Sequence, residues 1–354
     1  MNLIVARAPF RVSIAGGGTD LASFYERDYG LVLSTTIDKY VYVIINRRNP
    51  LFKHGIRLSY SPLGRVREHD VGQSMDEPFS YPIRVSYSST ENVQSANEIQ
   101  HPIVREALRL LEIDEPMDIS TMADIPAGTG LGSSGSFAVA LLQALHAFKG
   151  ESVSTEQLAA EASHIEIDLL KRPVGKQDHY AAAWGGINLF RFHPGGAVSV
   201  QPVAAAHVTE QRLFPCLMLL YTGSCRDAAS ILAEQERNTA DRYEDLLIMR
   251  NYAREIEQML RDGFETAQFG RALHETWLHK RTLASRISNP RIDRWYERAL
   301  EAGALGGKIC GAGGGGFLLL VTEPEKRDAA RRALADLPEL AIAFERRGSQ
   351  LLLG

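Results

Sequence analysis

Two lobes of mixed helix and strand are expected from three features of the chain. Its 354 residues, 45% of them apolar, exceed the roughly 250–300 residues at which a single hydrophobic core stops growing. Short runs rich in Val, Ile, Thr and Tyr fill the first third. Apolar residues at helical spacing dominate much of the remaining two thirds.

Strands are expected at residues 3–6, 11–15, 31–37 and 40–46 and at Ile56–Tyr60, each bounded by Gly, Asp or Pro, which makes a mixed or antiparallel sheet. Residues 62–99 carry Pro62, Pro78, Pro82 and a Ser-rich run over 86–97, and read as long polar surface loops. A helix is expected over 102–111, then a strand at Met117–Ala123. Phe137, Leu141, Leu145 and Phe148 recur at helical intervals and mark one buried stripe of a helix entered from a Gly/Ser loop. Ser154, with Gln157 three residues on, caps the next helix. Arg172-Pro173 ends it, because the residue before a proline is pushed out of helical geometry. Strands return at Ile187–Phe192 and Leu217–Tyr221, and residues 228–302 read as mostly helical. The chain closes with a Gly-rich segment 306–316, a strand Phe317–Thr322, a helix over 324–334 and a strand near 341–346. The lobes are drawn at 1–190 and 191–354. No repeat of about 20–50 residues is present, which argues against solenoids and propellers.

Charge and cysteine content narrow the function. There are 39 Lys and Arg against 43 Asp and Glu, a formal charge of −4, and the charges are spread along the chain. Nucleic acid and anionic membranes lose their electrostatic rationale as partners, and a small molecule is the expected ligand. Cys216, Cys225 and Cys310 form no C-x-x-C pair, so a disulfide framework and a cysteine zinc site lack support and a reducing compartment is expected. Arg7 and Pro9 break the apolar start before a secretory segment of about 7–15 residues forms. No run approaches the roughly 20 apolar residues of a membrane helix. A cytoplasmic protein is expected.

Three glycine segments carry the chemistry. Gly16-Gly17-Gly18-Thr19-Asp20 comes directly after the strand at 11–15. Without Cβ atoms there, backbone N–H groups and the Asp20 carboxylate can approach a polyhydroxylated ligand closely. The second segment, Pro126 to Ser136, runs into the Phe137 helix. Unpaired N–H groups at a helix N-terminus, with the dipole behind them, bind phosphate, and glycines let the loop wrap around it. Ser133 and Ser134 either cap the helix or ligate a magnesium ion bridging two phosphates. The third, Gly306 to Gly316, holds seven glycines in eleven residues. Ordering so free a backbone calls for close approach to a ligand or to the other glycine loop. Between the last two lie Glu166 and Asp178, a carboxylate pair able to divide metal holding from orientation of a hydroxyl nucleophile, as phosphoryl transfer requires.

Three look-alike motifs fail on context. Gly130-x-Gly132-x-x-Gly135 matches a dinucleotide fingerprint, but the acid at the right distance, Glu156, sits in the first turn of an expected helix. Gly303 to Lys308 is one residue short of a Walker A loop and continues with Ile309. His274 and His279 are five apart and do not share a helix face as an H-E-x-x-H zinc site does.

The segments Pro9 to Asp20, Pro126 to Gly135 and Lys308 to Gly316, in this order, resemble the three motifs of the GHMP kinases: P-x-R-V-x-L-x-G-E-H-x-D, P-x-x-x-G-L-G-S-S-A and K-x-x-G-A-G-x-G-G. Gly17-Gly18 stands where the galactokinase-like form has Glu-His, which argues against galactose. The Gly-Gly-Gly-Thr-Asp form, the 34–42 and 98–102 segments, Val174 to Asp178 and His274 to Trp277 resemble the D-glycero-D-manno-heptose 7-phosphate kinases within that superfamily. This resemblance implies an α+β two-lobed fold, with an N-terminal ribosomal-protein-like lobe and a C-terminal ferredoxin-like lobe with extra helices.

It also implies an ATP- and Mg²⁺-dependent kinase acting on the anomeric hydroxyl of a sugar phosphate, whose 1,7-bisphosphate product feeds nucleotide-activated heptose for surface polysaccharide. Asp178 and Arg11 are the implied catalytic residues. Pro126, Gly128, Gly130, Leu131, Gly132, Ser133, Ser134, Gly135 and Gly313 are assigned to the nucleotide, and Ser134 and Glu166 to the metal. Gly17, Gly18, Thr19, Asp20 and Gly314 are assigned to the acceptor, with Lys176 and Arg226 as cations for its phosphate and Arg281 as a further candidate. Another sugar such as L-fucose, a catalytically silent sugar-phosphate or ATP sensor, and a homodimer stay open.

Overall fold

The structure, a computed structural model, describes residues 2–47, 56–60, 89–93, 95–203, 208–223 and 228–354. β1 (Leu3–Ala15) and β2 (Gly30–Arg47) are one long antiparallel pair, with Leu3 opposite Asn46 and Ser13 opposite Ser34. Each joins two of the short strands expected from sequence. Pro9, which has no N–H for the ladder, sits at a register shift, so β1 bends there and continues. β2 changes partner along its length: 30–35 pair with β6 (Ile187–Phe192) and 41–47 with β5 (Met117–Ala123). β3 (Ile56–Tyr60) runs parallel to β5, and β4 (Ser89–Val93) pairs with β3. β4 falls in the stretch expected to be loop, most of which, 62–88, lies outside the described residues.

Four helices cover this sheet: α2 (Pro102–Leu110), α3 (Ser133–Lys149), α4 (Thr155–Ser163) and α5 (Gln177–Trp184), after a single turn, α1 (Ala22–Tyr25). Every residue of α3 from Gly135 to Leu142 is buried. The expected single stripe is thus an all-round buried helix, because β1 and β2 lie on one side of it and α4 and α5 on another. Ser154 caps α4 through Gln157 N at 3.1 Å, as expected. The helix then widens into a π-helical turn, His164–Leu169, and stops short of Arg172, with Lys171 in left-handed backbone geometry at φ +50°.

The second lobe is a four-stranded antiparallel sheet of β8 (Leu217–Tyr221), β9 (Ala304–Ile309), β10 (Phe317–Thr322) and β11 (Glu339–Leu340), ordered β11-β8-β10-β9. Helices Ala228–Asn238, Tyr243–Asp262, Thr266–Lys280 and Pro290–Glu301 connect β8 to β9, and Arg327–Ala333 lies between β10 and β11. This is the β-α-β-β-α-β order of a ferredoxin-like lobe with added helices. Leu219, Leu319 and Val321 face the core shared with the first lobe, while Leu220, Leu318 and Leu320 face a second core with Trp277, Ile287 and Ile292. Burial on both faces is why β8 and β10 read as continuous apolar runs.

A division at residue 190 does not match the sheets. β7 (Val198–Pro202) pairs with β6, and β12 (Gln350–Leu353) returns to pair with β1, so the last strand of the chain belongs to the first sheet. The strand expected near 341–346 is reduced to one bridge between Ile37 and Phe344. Among the described residues no helix is long and apolar enough to cross a membrane.

Candidate active site

The N-terminus of α3 lies at the centre. Gly132, in left-handed geometry at φ +82°, starts the helix with no side-chain cap, so Ser133 and Ser134 leave the first-turn N–H groups to other partners. The loop before it is tied to β1: Arg11 N donates to Leu131 O at 3.0 Å and Arg11 Nη1 to Gly130 O at 2.7 Å, while Thr129 Oγ1 donates to Pro126 O at 3.0 Å. Leu131 is wholly buried and anchors the loop, whereas Pro126 and Gly128 are exposed.

The third glycine segment crosses this loop backbone on backbone. A Cβ on Gly130 would lie 2.5 Å from Cys310 O, and one on Gly311 would lie 2.6 Å from Gly130 Cα, so neither position accepts a side chain. Gly306, Gly307 and Lys308, expected in a loop, are part of β9. Two buried lysines stitch the crossing together. Lys280 Nζ donates to Ile309 O at 2.8 Å and Gly311 O at 2.6 Å, and Lys308 Nζ to Ile14 O at 2.9 Å. Burial lowers both ammonium groups, Lys308 to about 8 and Lys280 well below the ordinary lysine value. Gly313 and Gly314 are tied to Ile287, whose carbonyl accepts from Gly314 N at 2.8 Å. Gly314 is buried with its N–H spent there, so it supports the loop rather than offering that donor to an acceptor molecule.

Both acids converge on the α3 terminus. Glu166, 1% exposed, accepts from Ser134 Oγ at 2.5 Å and Arg172 Nη1 at 2.7 Å through Oε2, and its Oε1 lies 3.1 Å from His179 Nε2. Burial alone would raise this carboxyl, but the hydrogen bonds from His179 and Ser134 and the Arg172 charge outweigh it and hold it near about 2. Asp178, on the first turn of α5, is held by Arg11 Nε and Nη2, both 2.7 Å from Oδ1. Gly135 packs against Asp178 so closely that a Cβ would stand 2.8 Å from the Asp178 Cβ.

Asp20 closes the third side. Its Oδ1 accepts from Gly18 N at 2.9 Å and its Oδ2 from Gln177 N at 3.3 Å, and burial together with the Asp178 charge raises its carboxyl above the usual value. Gly175 is the residue that makes room for it, since a Cβ there would fall 1.9 Å from Oδ2. Gly17 lies beside it with only Ser13 Oγ near its missing Cβ. Thr19 is fully buried and its hydroxyl bonds Gly16 O and Leu31 O, so it shapes the turn instead of facing a ligand. A cleft of about 210 Å³ opens here, lined by Asp20, Tyr25, Lys171, Arg172, Pro173 and, from the second lobe, Glu236 among others.

Among the cations expected to hold a second anion, Lys176 gives Nζ to Gly196 O, and Arg281 pairs with Asp293 at 3.1 Å. Arg226 lies outside the described residues. His274 bonds Tyr296 and His279 bonds Asp245. Sequence reasoning misses Arg172, His179 and Lys280 as parts of this arrangement. Only the Arg172-Pro173 break offers a signal, and spacing alone reads it as a helix end.

The uncapped α3 terminus fits a phosphate chain, and the Ser134–Glu166 pair fits Mg²⁺, which takes one or two protein oxygens and draws the rest from phosphate and water. Among the described residues no group of three or more His, Cys, Asp or Glu side chains offers a dedicated cage for another metal.

Known proteins share this plan. The sequence pattern of the GHMP kinases N terminal domain matches residues 101–186 and that of the GHMP kinases C terminal domain residues 260–339. The D-glycero-alpha-D-manno-heptose 7-phosphate kinase of Campylobacter jejuni is 26% identical over 339 residues, covering 94% of both chains. The L-fucokinase/L-fucose-1-P guanylyltransferase of Bacteroides fragilis is 26% identical over 95% of this chain but 36% of its own length. A crystal structure of a D-glycero-D-manno-heptose 1-phosphate kinase from Bacteroides thetaiotaomicron superposes with a TM-score of 0.75 over 99% of both chains at 23% identity.

Proposed function

We propose that this chain, which belongs to the GHMP kinases and so is a phosphotransferase with an alcohol acceptor, uses ATP to phosphorylate the anomeric hydroxyl of D-glycero-D-manno-heptose 7-phosphate, giving the 1,7-bisphosphate. The observation that carries the reading is the convergence at the α3 N-terminus of an uncapped helix end, a hydroxyl–carboxylate pair and a second carboxylate gripped by arginine. We read the enzyme as cytoplasmic and magnesium-dependent.

Magnesium bound beside the phosphates neutralises charge that develops during transfer. Ser134 Oγ and Glu166 would hold it, and Glu166 is suited because the hydrogen bonds from His179 and Ser134 and the Arg172 charge favour its ionised form. The first-turn N–H groups of α3 and the Gly130–Gly135 backbone orient the phosphate chain. Asp178 Oδ2, the oxygen that Arg11 does not hold, accepts the hydrogen of the acceptor hydroxyl and aims it in line with the phosphorus. Phosphoryl transfer passes through a loose transition state, so this positioning contributes more than proton removal. Asp20 accepts from other sugar hydroxyls.

A coupled ADP-release assay over heptose 7-phosphate, the unphosphorylated heptose, L-fucose and D-galactose, with phosphorus NMR of the product, tests the reading. Heptose 7-phosphate is expected to show the highest kcat/KM, with the new phosphate on C1. Preference for L-fucose, or no ADP release with any sugar, overturns it. Asp178→Asn is expected to lower kcat by about 10²–10⁴-fold while ATP still binds.

A further inference from the structure

Resting on that reading, we propose that the cleft between the Asp20 turn and residues 171–174 is where the acceptor sits, and that Lys171 and Arg172 grip the acceptor's own phosphate monoester. The cleft joins the two demands of such a substrate in one place. Asp20 and Glu236 line it as acceptors for sugar hydroxyls, and Lys171 and Arg172, consecutive in the chain, line it as cations. Tyr25, whose phenol is pushed up to about 12 chiefly by burial, lines the same cleft as a neutral hydroxyl.

Lys171 is the informative residue. It closes the π-helical turn that carries Glu166: Leu170 N reaches Ile165 O and Arg172 N reaches Glu166 O, both at 2.9 Å, while Lys171 takes φ +50°. Helix ends give this left-handed position to glycine or asparagine, because a larger side chain is disfavoured there. A helix stop alone would be served better by glycine, so a lysine at this position, lining a ligand-sized cleft with no acid paired with it among the described residues, points to a ligand of opposite charge. Arg172 supplies the second cation and links the cleft to the reaction centre, since its Nη1 touches both Ser134 Oγ, at 3.2 Å, and Glu166. A planar guanidinium has further N–H groups to offer phosphate oxygens.

Lys171→Gly suits the left-handed backbone geometry and removes the side chain with its ammonium. Calorimetry with a non-hydrolysable ATP analogue present compares heptose 7-phosphate and unphosphorylated heptose on both proteins, alongside steady-state KM values for ATP and acceptor. The parent is expected to bind the phosphorylated sugar at least 10-fold more tightly. In Lys171→Gly that preference should fall about 10-fold, with the KM for ATP unchanged and thermal unfolding no earlier than in the parent. If the parent discriminates and the variant discriminates equally, or if the KM for ATP moves instead, the phosphate grip is overturned and the kinase reading stands. If the parent itself draws no distinction between the two sugars, the sugar-phosphate reading falls with it.

Discussion

Gly135 occupies the place where the second motif of the family ends in Ala, and restoring that Ala should damage this enzyme. In Gly135→Ala the new Cβ would stand 2.8 Å from Asp178 Cβ and 3.0 Å from both Asp178 C and His179 N, whereas ordinary contacts begin at 3.4 Å. Those neighbours are backbone or Cβ atoms of α5, so no flexible side chain can swing aside. The start of α5 must therefore retreat by about 0.6 Å, carrying Asp178 away from Arg11 and His179 away from Glu166. A misplacement near 1 Å costs about 10²-fold in rate, so kcat should fall by about 10–100-fold. Stability is a contest: overpacking costs about 1–3 kcal/mol and the helix propensity of Ala over Gly returns at most about 1 kcal/mol. Net destabilisation of about 0–2 kcal/mol is expected. The check is ADP release under saturating ATP and acceptor, with a urea titration of the same preparations. Turnover within about twofold of the parent would refute the claim that this contact sets the position of Asp178.

Two further variants at buried charged groups give the other expected outcomes. Glu166 is depressed to about 2 in the fold against about 4.5 when free, so its contribution of about 3 kcal/mol is present above pH 4.5 and is lost as pH falls toward 2. The stability gap between the parent and Glu166→Gln, measured in urea, should therefore shrink by about 2 kcal/mol between pH 7 and pH 3; an equal gap at both pH values contradicts the assignment. The same variant should need more magnesium for half-maximal turnover. Lys280→Met strips the donors from Ile309 O and Gly311 O under the loop crossing. Unmet buried carbonyls cost about 1–3 kcal/mol, offset in part by removal of a buried ammonium. The KM for ATP should rise with that for acceptor unchanged, and an unaltered KM for ATP would separate the third glycine segment from nucleotide binding.

Much of this is legible along the chain because it is written in contiguous residues. The order of three glycine segments, the helix entered from the second of them, the Ser154 cap and the β8 and β10 strands all depend on local backbone chemistry and short periods. The proposed roles of Ser134, Glu166 and Asp178 draw on the same contiguous segments, and that of Arg11 on the resemblance of the first of them to the family motif.

Long-range geometry settles the rest. Arg11 and Asp178 are 167 positions apart, and no pattern in either neighbourhood says that one holds the other. β2 reads as two strands in the sequence because Asp38 and Lys39 interrupt the apolar run, and only its pairing, with β6 over 30–35 and β5 over 41–47, reveals its continuity. The π-helical turn after α4 departs from the 3.6-residue period, so the position of Arg172 over Glu166 and the left-handed Lys171 cannot be drawn from spacing. Whether a glycine frees the backbone or makes room for a neighbour likewise depends on what packs against it, as Gly175 before Asp20 and Gly130 against Gly311 illustrate. Local sequence selects conformations one residue at a time, whereas which surfaces meet is decided by the burial of the whole chain.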